Sequence, residues 1–307
     1  MAINRIVSFL PSATELLYEL DAQDRLYGVT HECDFPEEAS RKPRVIQSVF
    51  KPETMSSKEI DQKILELVSN GKDIYELQTE NLKKANPDLI ISQEICEVCS
   101  AYTNQVNNAM KILDKKPEVF TMNPHNIEGI LSNIEEISRK INTSEKGIKL
   151  IESLKKRIDF FKKQKILRRP KVLAIEWINP FYTAGHWIPE MIEVVGAKNL
   201  VSKKSEQSRK IMFDEIKKSD PDIIIMMPCG FSVKRTVQEY NNNLNGDLDW
   251  KSLRAVKDGN IFAVDANSYF SKPSIRTITG IEILGKIIHP EEFSHVKVPN
   301  EAFTKIN

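Results

Sequence analysis

The chain has 307 residues, 40% of them hydrophobic and 28% charged, with a formal net charge of +1. That length accommodates two domains of ordinary size, and that composition belongs to a globular chain with a substantial core. Near-neutral charge supplies no basic field for nucleic acid and no attraction to an anionic membrane. The longest apolar runs, such as Ile223–Met227, are far too short for insertion into a bilayer. In the opening MAINRIVSFLPSATELLYEL, Pro11, Ser12, Thr14 and Glu15 interrupt the apolar run before a signal-peptide core forms. The four cysteines are too sparse for a disulfide framework. These features lead us to expect a cytoplasmic protein with reduced thiols.

Taken in order, Arg5–Leu10 reads as a strand, and Pro11 with the capping box Ser12-Ala13-Thr14-Glu15 opens a helix carrying Leu16, Leu17 and Leu20. Leu26–Thr30 is a second strand, ending in His31-Glu32-Cys33-Asp34-Phe35-Pro36. Arg41–Glu59, rich in Pro, Lys and Ser, reads as a loop. Helices near Ser57–Ser69 and Thr79–Ala85 precede a strand at Leu89–Ser92, which runs into Gln93-Glu94-Ile95-Cys96-Glu97-Val98-Cys99. A helix near Tyr102–Leu113, a strand at Val119–Met122 and a helix near Asn126–Ile141 complete the first half.

Ser144–Leu167 then carries Ile148, Ile151, Leu154, Ile158 and Phe161 at steps of three and four, with charged residues between them. That is one narrow apolar stripe on a helix lying along a core rather than inside one. Ser144 and Glu145 suit its start, and Pro170 bars its continuation. Beyond it, Lys171–Ile175 begins a strand that leads into Glu176-Trp177-Ile178-Asn179-Pro180 and Gly185-His186-Trp187, with a helix to Val195. Ile223–Met227 is a strand ending in Pro228-Cys229-Gly230-Phe231, and NNNLNGDLDW reads as a loop. Ile261–Val264 reads as the last strand, before Asp265–Pro273 and a closing helix near Ser274–Ile288. His289 and His295, in the tail, read as surface residues.

The two halves echo each other. TENLKKANPDLIISQE, from Thr79, aligns without gaps to FDEIKKSDPDIIIMMP, from Phe213. Strands alternating with helices give an α/β fold with parallel sheets. We therefore expect two Rossmann-like lobes, about 1–142 and 170–307, joined by one long helix across 143–169.

In open α/β sheets ligands bind outside the carboxyl ends of strands, and the chemically distinctive side chains collect there. After the first strands these are Ser12, Thr14, His31, Glu32, Cys33, Asp34, Gln93 and Glu94; in the second half they are Glu176, Trp177, His186, Trp187, Cys229, Gly230, Phe231, Tyr269 and Phe270. Single members have plainer explanations: a cysteine is usually a small buried hydrophobe, Trp177 suits packing, and Gly230 suits a turn. Their joint occurrence at several strand ends favours a shared ligand site. His125, just after Pro124, reads as a cap-region side chain.

RIVSFLPSATELLYELDAQDRLYGVTHECD, NPDLIISQEICEVC, LAIEWINPFYTAGHWIPEMIEVVGAKN, DPDIIIMMPCGF and DANSYFSKPSIRTITGIEIL resemble the cobalamin and iron-siderophore binding-protein superfamily, the helical-backbone substrate-binding components of ABC importers. The resemblance runs over essentially the whole chain. It implies two lobes, a rigid connecting helix and a ligand in the cleft between them. It also implies a corrinoid or metal-chelate ligand, an importer permease as partner, and an extracytoplasmic site of action if the transport role holds.

Three functions compete. The first is a binding protein in which Trp177, Trp187, Phe231, Tyr269 and Phe270 supply flat walls for a corrinoid-like ligand, with an anion-receiving helix start at Ser12–Glu15. The second is a zinc or iron–sulfur protein using Cys33, Cys96, Cys99, Cys229, His31 and His186. The third is an enzyme using a cleft thiol or the His31/Glu32 and Glu176/His186 pairs. No nucleophile elbow, phosphate loop or Rossmann glycine pattern supports the last.

Overall fold

The computed structural model describes residues 3–94 and 101–306. The chain divides into two compact units, Met1–Met55 with Gln62–Pro124 and Glu128–Glu152, and Ser56–Asp61 with His125–Ile127 and Ser153–Asn307. The division falls inside the long helix, and two short segments of the first half count with the second unit.

In the first unit the described strands are β1 (Ile6–Ser8), β2 (Leu26–Thr30), β3 (Arg44–Ser48), β4 (Tyr75–Leu77), β5 (Leu89–Gln93) and β6 (Glu118–Met122), in the order β4-β3-β2-β1-β5-β6. All neighbours are parallel except β3 and β4. The strand β3 lies in the stretch expected to be a loop. Its apolar content is one pair, Val45 and Ile46, both fully buried, between Pro43 and a polar end. Composition averaged over the segment hides so short a strand. Gly28 on β2 makes room for it: a Cβ there would stand 2.6 Å from a methyl of Val45.

In the second unit β7 (Lys171–Trp177), β8 (Tyr182–Thr183), β10 (Arg209–Lys210), β11 (Ile223–Met226), β12 (Ile261–Val264) and β13 (Phe303–Lys305) follow the order β10-β8-β7-β11-β12-β13, and β9 (Lys198–Asn199) pairs with β7. Here β9-β7-β11-β12 are parallel, while β8, β10 and β13 join antiparallel. The sheet is thus mixed at its edges, and β12 is followed by one more strand. Ile223–Met226 is buried throughout, as expected of a central parallel strand covered on both faces.

The sequence repeat has a structural cause. Asn86 and Asp220 both end a helix in the left-handed conformation, with φ of 40° and 45°. After the proline, Asp88 Oδ2 accepts from the backbone N–H groups of Asn4 and Arg5, and Asp222 Oδ2 accepts from that of Lys171. Each aspartate also donates its own N–H to the carbonyl of Arg5 or Lys171. The Pro-Asp pair in each half therefore ties the start of one parallel strand to the start of its neighbour.

Several local expectations are corrected. The helix Pro11–Glu19 has Leu10 at its N-cap and no side-chain cap, so the Ser12–Glu15 box does not form. A capping box does form at Ser56, whose N–H and hydroxyl reach Glu59 while its oxygen accepts from the Glu59 N–H. The joining helix spans Ser144–Lys162. Leu154, Ile158 and Phe161 are buried, but Ile148 is 54% exposed, and it is Gly147 that packs against the preceding helix at Ser138. The Asn-rich stretch belongs largely to the helices Val233–Asn243 and Leu248–Ser252, the second capped by Asp247 and anchored by buried Trp250. His289 is buried, and His295 is exposed.

Candidate functional site

Each unit presents a group of strand-end loops. In the first, β1 lies between β2 and β5, where the chain reverses its direction of travel across the sheet. Such a switch point opens a crevice at the carboxyl ends. The loop His31–Asp34 is held there by Arg44, whose guanidinium donates to the carbonyls of Thr30 (2.5 Å) and Cys33 (3.0 Å) and to the Asp34 carboxylate (2.8 Å). Arg44 was not among the expected site residues; its signal is only its position at the start of β3.

Cys33 is fully buried, with Thr14 Oγ1 donating to its sulfur at 3.2 Å and Thr30 Oγ1 3.3 Å away. It pins the loop to the first helix. Ser12 and Thr14 are themselves buried, the Thr14 hydroxyl directed to the Cys33 sulfur. His31 is half-buried beside Tyr75, with ring centroids 5.8 Å apart, and its Nδ1 has no hydrogen-bond partner among the described residues. Gln93 is half-buried; Glu32, Asp34 and Glu94 are exposed.

In the second unit, half-buried Trp177 ends β7 and meets the ring of Phe231 edge-on at 5.4 Å. Phe231 is buried and carries the Arg235 guanidinium on its face, 3.7 Å from the centroid. Tyr269 is half-buried, with the Arg276 guanidinium 4.9 Å from its centroid. Glu176 accepts a 2.8 Å hydrogen bond from Ser208, and the Gly230 N–H donates to the Ser271 hydroxyl oxygen at 3.0 Å. Cys229 is exposed on this turn. Trp187 and Phe270 are buried, the indole N–H donating to the Phe270 carbonyl at 3.0 Å. Neither arginine has a signal in the sequence, because Arg235 on a helix and Arg276 at a helix start are ordinarily solvated side chains.

His186 lies deeper in the same unit, 8% exposed, with φ of 54°. Its ring stacks on that of His125, and neither Nδ1 has a hydrogen-bond partner among the described residues. Burial, and then the neighbouring His125, pull the His186 pKa down to about 4. His125 is thus a core partner of His186 and not a cap. The adjacent Asn126 donates to Ser205, and the Ile127 N–H donates to Glu190.

Among the described residues no three or more His, Cys, Asp or Glu side chains are grouped to hold a metal ion. Cys33 is committed to its threonines, and His186 to its histidine stack. Cys96 and Cys99 lie outside the described residues.

The family profile for periplasmic binding proteins matches residues 6–268. The chain belongs to that family. It is 25% identical over 299 residues to the uncharacterized ABC transporter substrate-binding lipoprotein YvrC of Bacillus subtilis, covering 94% of this chain and 81% of that one. It is 22% identical over 285 residues to the vitamin B12-binding protein of Vibrio campbellii, covering 90% and 86%. Its fold matches a periplasmic heme binding protein from Pseudomonas aeruginosa with a TM-score of 0.71 at 16% identity, covering 99% and 98%. These likenesses place the chain in the superfamily of cobalamin, haem and iron-siderophore receptors, with its two α/β units of largely parallel sheet. They also overturn the cytoplasmic expectation, because the family is that of periplasmic binding proteins and the Bacillus subtilis relative is a lipoprotein, both of the extracytoplasmic kind. Within the described residues no helix is long and apolar enough to cross a membrane.

Proposed function

We propose that this periplasmic binding protein captures a flat metal chelate, a corrinoid or a haem, and delivers it to an ABC importer permease. The observation that carries the reading is the strand-end wall of the second unit, where Trp177 and Tyr269 are half-exposed and Arg235 and Arg276 stack on neighbouring rings. Aromatic faces suit a macrocycle, and guanidinium forks suit the carboxylate, phosphate or amide groups at its rim. The names of the relatives agree with this ligand class. The zinc, iron–sulfur and enzyme readings receive no support from the described side chains or from the relatives.

Titration of the purified protein with cyanocobalamin, hemin and a ferric siderophore, followed by tryptophan quenching, tests the reading. Saturable binding of one of the first two is expected, with Trp177→Ala and Arg276→Ala each weakening it about tenfold. Absence of binding by both, or binding indifferent to both substitutions, overturns it.

A further inference from the structure

Trp177 is held by a route that the sequence does not suggest. Its indole N–H donates to the carbonyl of Ser57 at 3.2 Å. Ser57 is fully buried, and both its N–H (2.9 Å) and its hydroxyl (2.5 Å) donate to Glu239 Oε1. The Asn243 amide adds a third donor to the same oxygen at 3.0 Å, and its own oxygen accepts from Asn179 at 3.2 Å. Glu239 is only 5% exposed. A buried carboxylate with several donors is a rigid anchor, because losing any partner leaves polar groups stranded away from water. The capping box at Ser56 further fixes the backbone of this segment.

These contacts form a relay from Glu239 through Ser57 to the polar edge of the Trp177 indole. We propose that Glu239 and Ser57 are positioning residues for Trp177: they fix the angle of the indole face offered to the ligand and so help choose between macrocycles of different outline. The ligand role of Trp177 rests on the function proposed above; the relay itself does not. Without the anchor the indole is free to turn about its terminal torsion, which is broad. A wall that turns fits a preferred ligand less well and other ligands relatively better.

The test follows the three indole N–H signals, of Trp177, Trp187 and Trp250, by hydrogen exchange in protein carrying 15N-tryptophan, with Trp177→Phe assigning the first. Glu239→Ala is expected to speed exchange at Trp177 at least tenfold while Trp187 and Trp250 stay unchanged, and Glu239→Gln to restore most of the protection. Ser57→Ala, which keeps the carbonyl acceptor but loses the hydroxyl, is expected to act in the same direction more weakly and serves if Glu239→Ala does not fold. Equal acceleration at all three indoles would mean a general loss of stability and would overturn the relay, as would no change at Trp177. Binding of cyanocobalamin and hemin gives the second readout. Glu239→Ala should shift the ratio of the two affinities about fivefold in the native background and leave it unshifted in the Trp177→Phe background. An equal shift in both backgrounds rejects the positioning role. If neither compound binds the native protein, the proposed ligand class fails, while the exchange data still decide the relay.

Discussion

The imidazoles of His125 and His186 stack with ring centroids 5.6 Å apart and planes inclined by 26°. Each Nδ1 is sealed from water with no hydrogen-bond partner among the described residues. A proton added to His186 would therefore be poorly solvated and close to a second imidazole, which is why its pKa falls to about 4. Glu190, which accepts from the Ile127 N–H two residues on from His125, is already paired with Lys204.

A pH dependence of stability results. The unfolded imidazole takes its proton near pH 6.5, the folded one only near pH 4. Between those values the unfolded chain binds more protons, so stability rises with pH across this window and levels off above it. The loss on acidification is on the order of 3 kcal/mol at most. Urea midpoints measured from pH 4.5 to 7.5 should fall towards acid in the native protein. His186→Asn, which tolerates the left-handed backbone, should flatten that part of the slope. Parallel slopes in the two proteins would contradict the assignment.

The paired aspartates make a second case. Asp88 and Asp222 each accept backbone N–H groups at the start of a neighbouring strand and also meet a cation, Lys115 or Arg254. Asp88→Ala and Asp222→Ala should each cost about 1–2 kcal/mol, since strand-start donors, half-buried at Arg5 and Lys171, lose their acceptor and a cation loses its partner. Asp34→Ala removes only an exposed partner of Arg44 and should cost at most about 1 kcal/mol. Denaturant melts of the three variants decide the ranking, and equal costs would refute it.

These aspartates also explain why the fold was legible. Asn/Asp-Pro-Asp followed by an aliphatic run encodes a left-handed helix end, a fixed turn and a strand tie in consecutive residues, so local chemistry alone marks the element. Strand β3 was not legible, because only Val45 and Ile46 point inward and the rest reads as loop. At the strand ends, the sequence does not mark which side chains face outward. Cys33, Trp187 and Phe270 look like ligand-wall residues by type and position, yet tertiary packing buries them. Arg44 and Glu239 act through partners 10 or more positions away, such as Asp34 and Ser57, which no local pattern records.

The cysteines separate by environment. Cys33 is buried and bridged to two threonines, and Cys229 is exposed on the turn after β11. A thiol reagent needs access to the sulfur. Brief labelling of the native protein with iodoacetamide, mapped by mass spectrometry, should modify Cys229 and spare Cys33 until denaturant is added. Cys33→Ala should lower stability without altering ligand affinity, whereas rapid native labelling of Cys33 would show that the loop opens.

Two glycines should respond differently to the same added methyl. A Cβ on Gly185 would stand 2.5 Å from the Ser208 nitrogen and 2.6 Å from Gln207 C and Glu206 O, all of them backbone atoms. That backbone receives the His186 N–H at Glu206 O, and Ser208 links Gly185 to Glu176. Gly185→Ala must therefore push two chain segments apart, at about 1–3 kcal/mol. Gly230 has open space around it but a φ of 75°, so Gly230→Ala meets only backbone strain, about 1 kcal/mol. Displacement at Gly185 should also loosen the packing that keeps His186 neutral. Urea melts at pH 7.5 and pH 5 test both points: Gly185→Ala should be the less stable variant at pH 7.5 and should show a shallower loss of stability on acidification than the native protein. Gly230→Ala should keep the native pH slope. A Gly185→Ala protein with native stability would mean that the loop Glu206–Ser208 yields freely, and the tight approach would then have no role in holding His186.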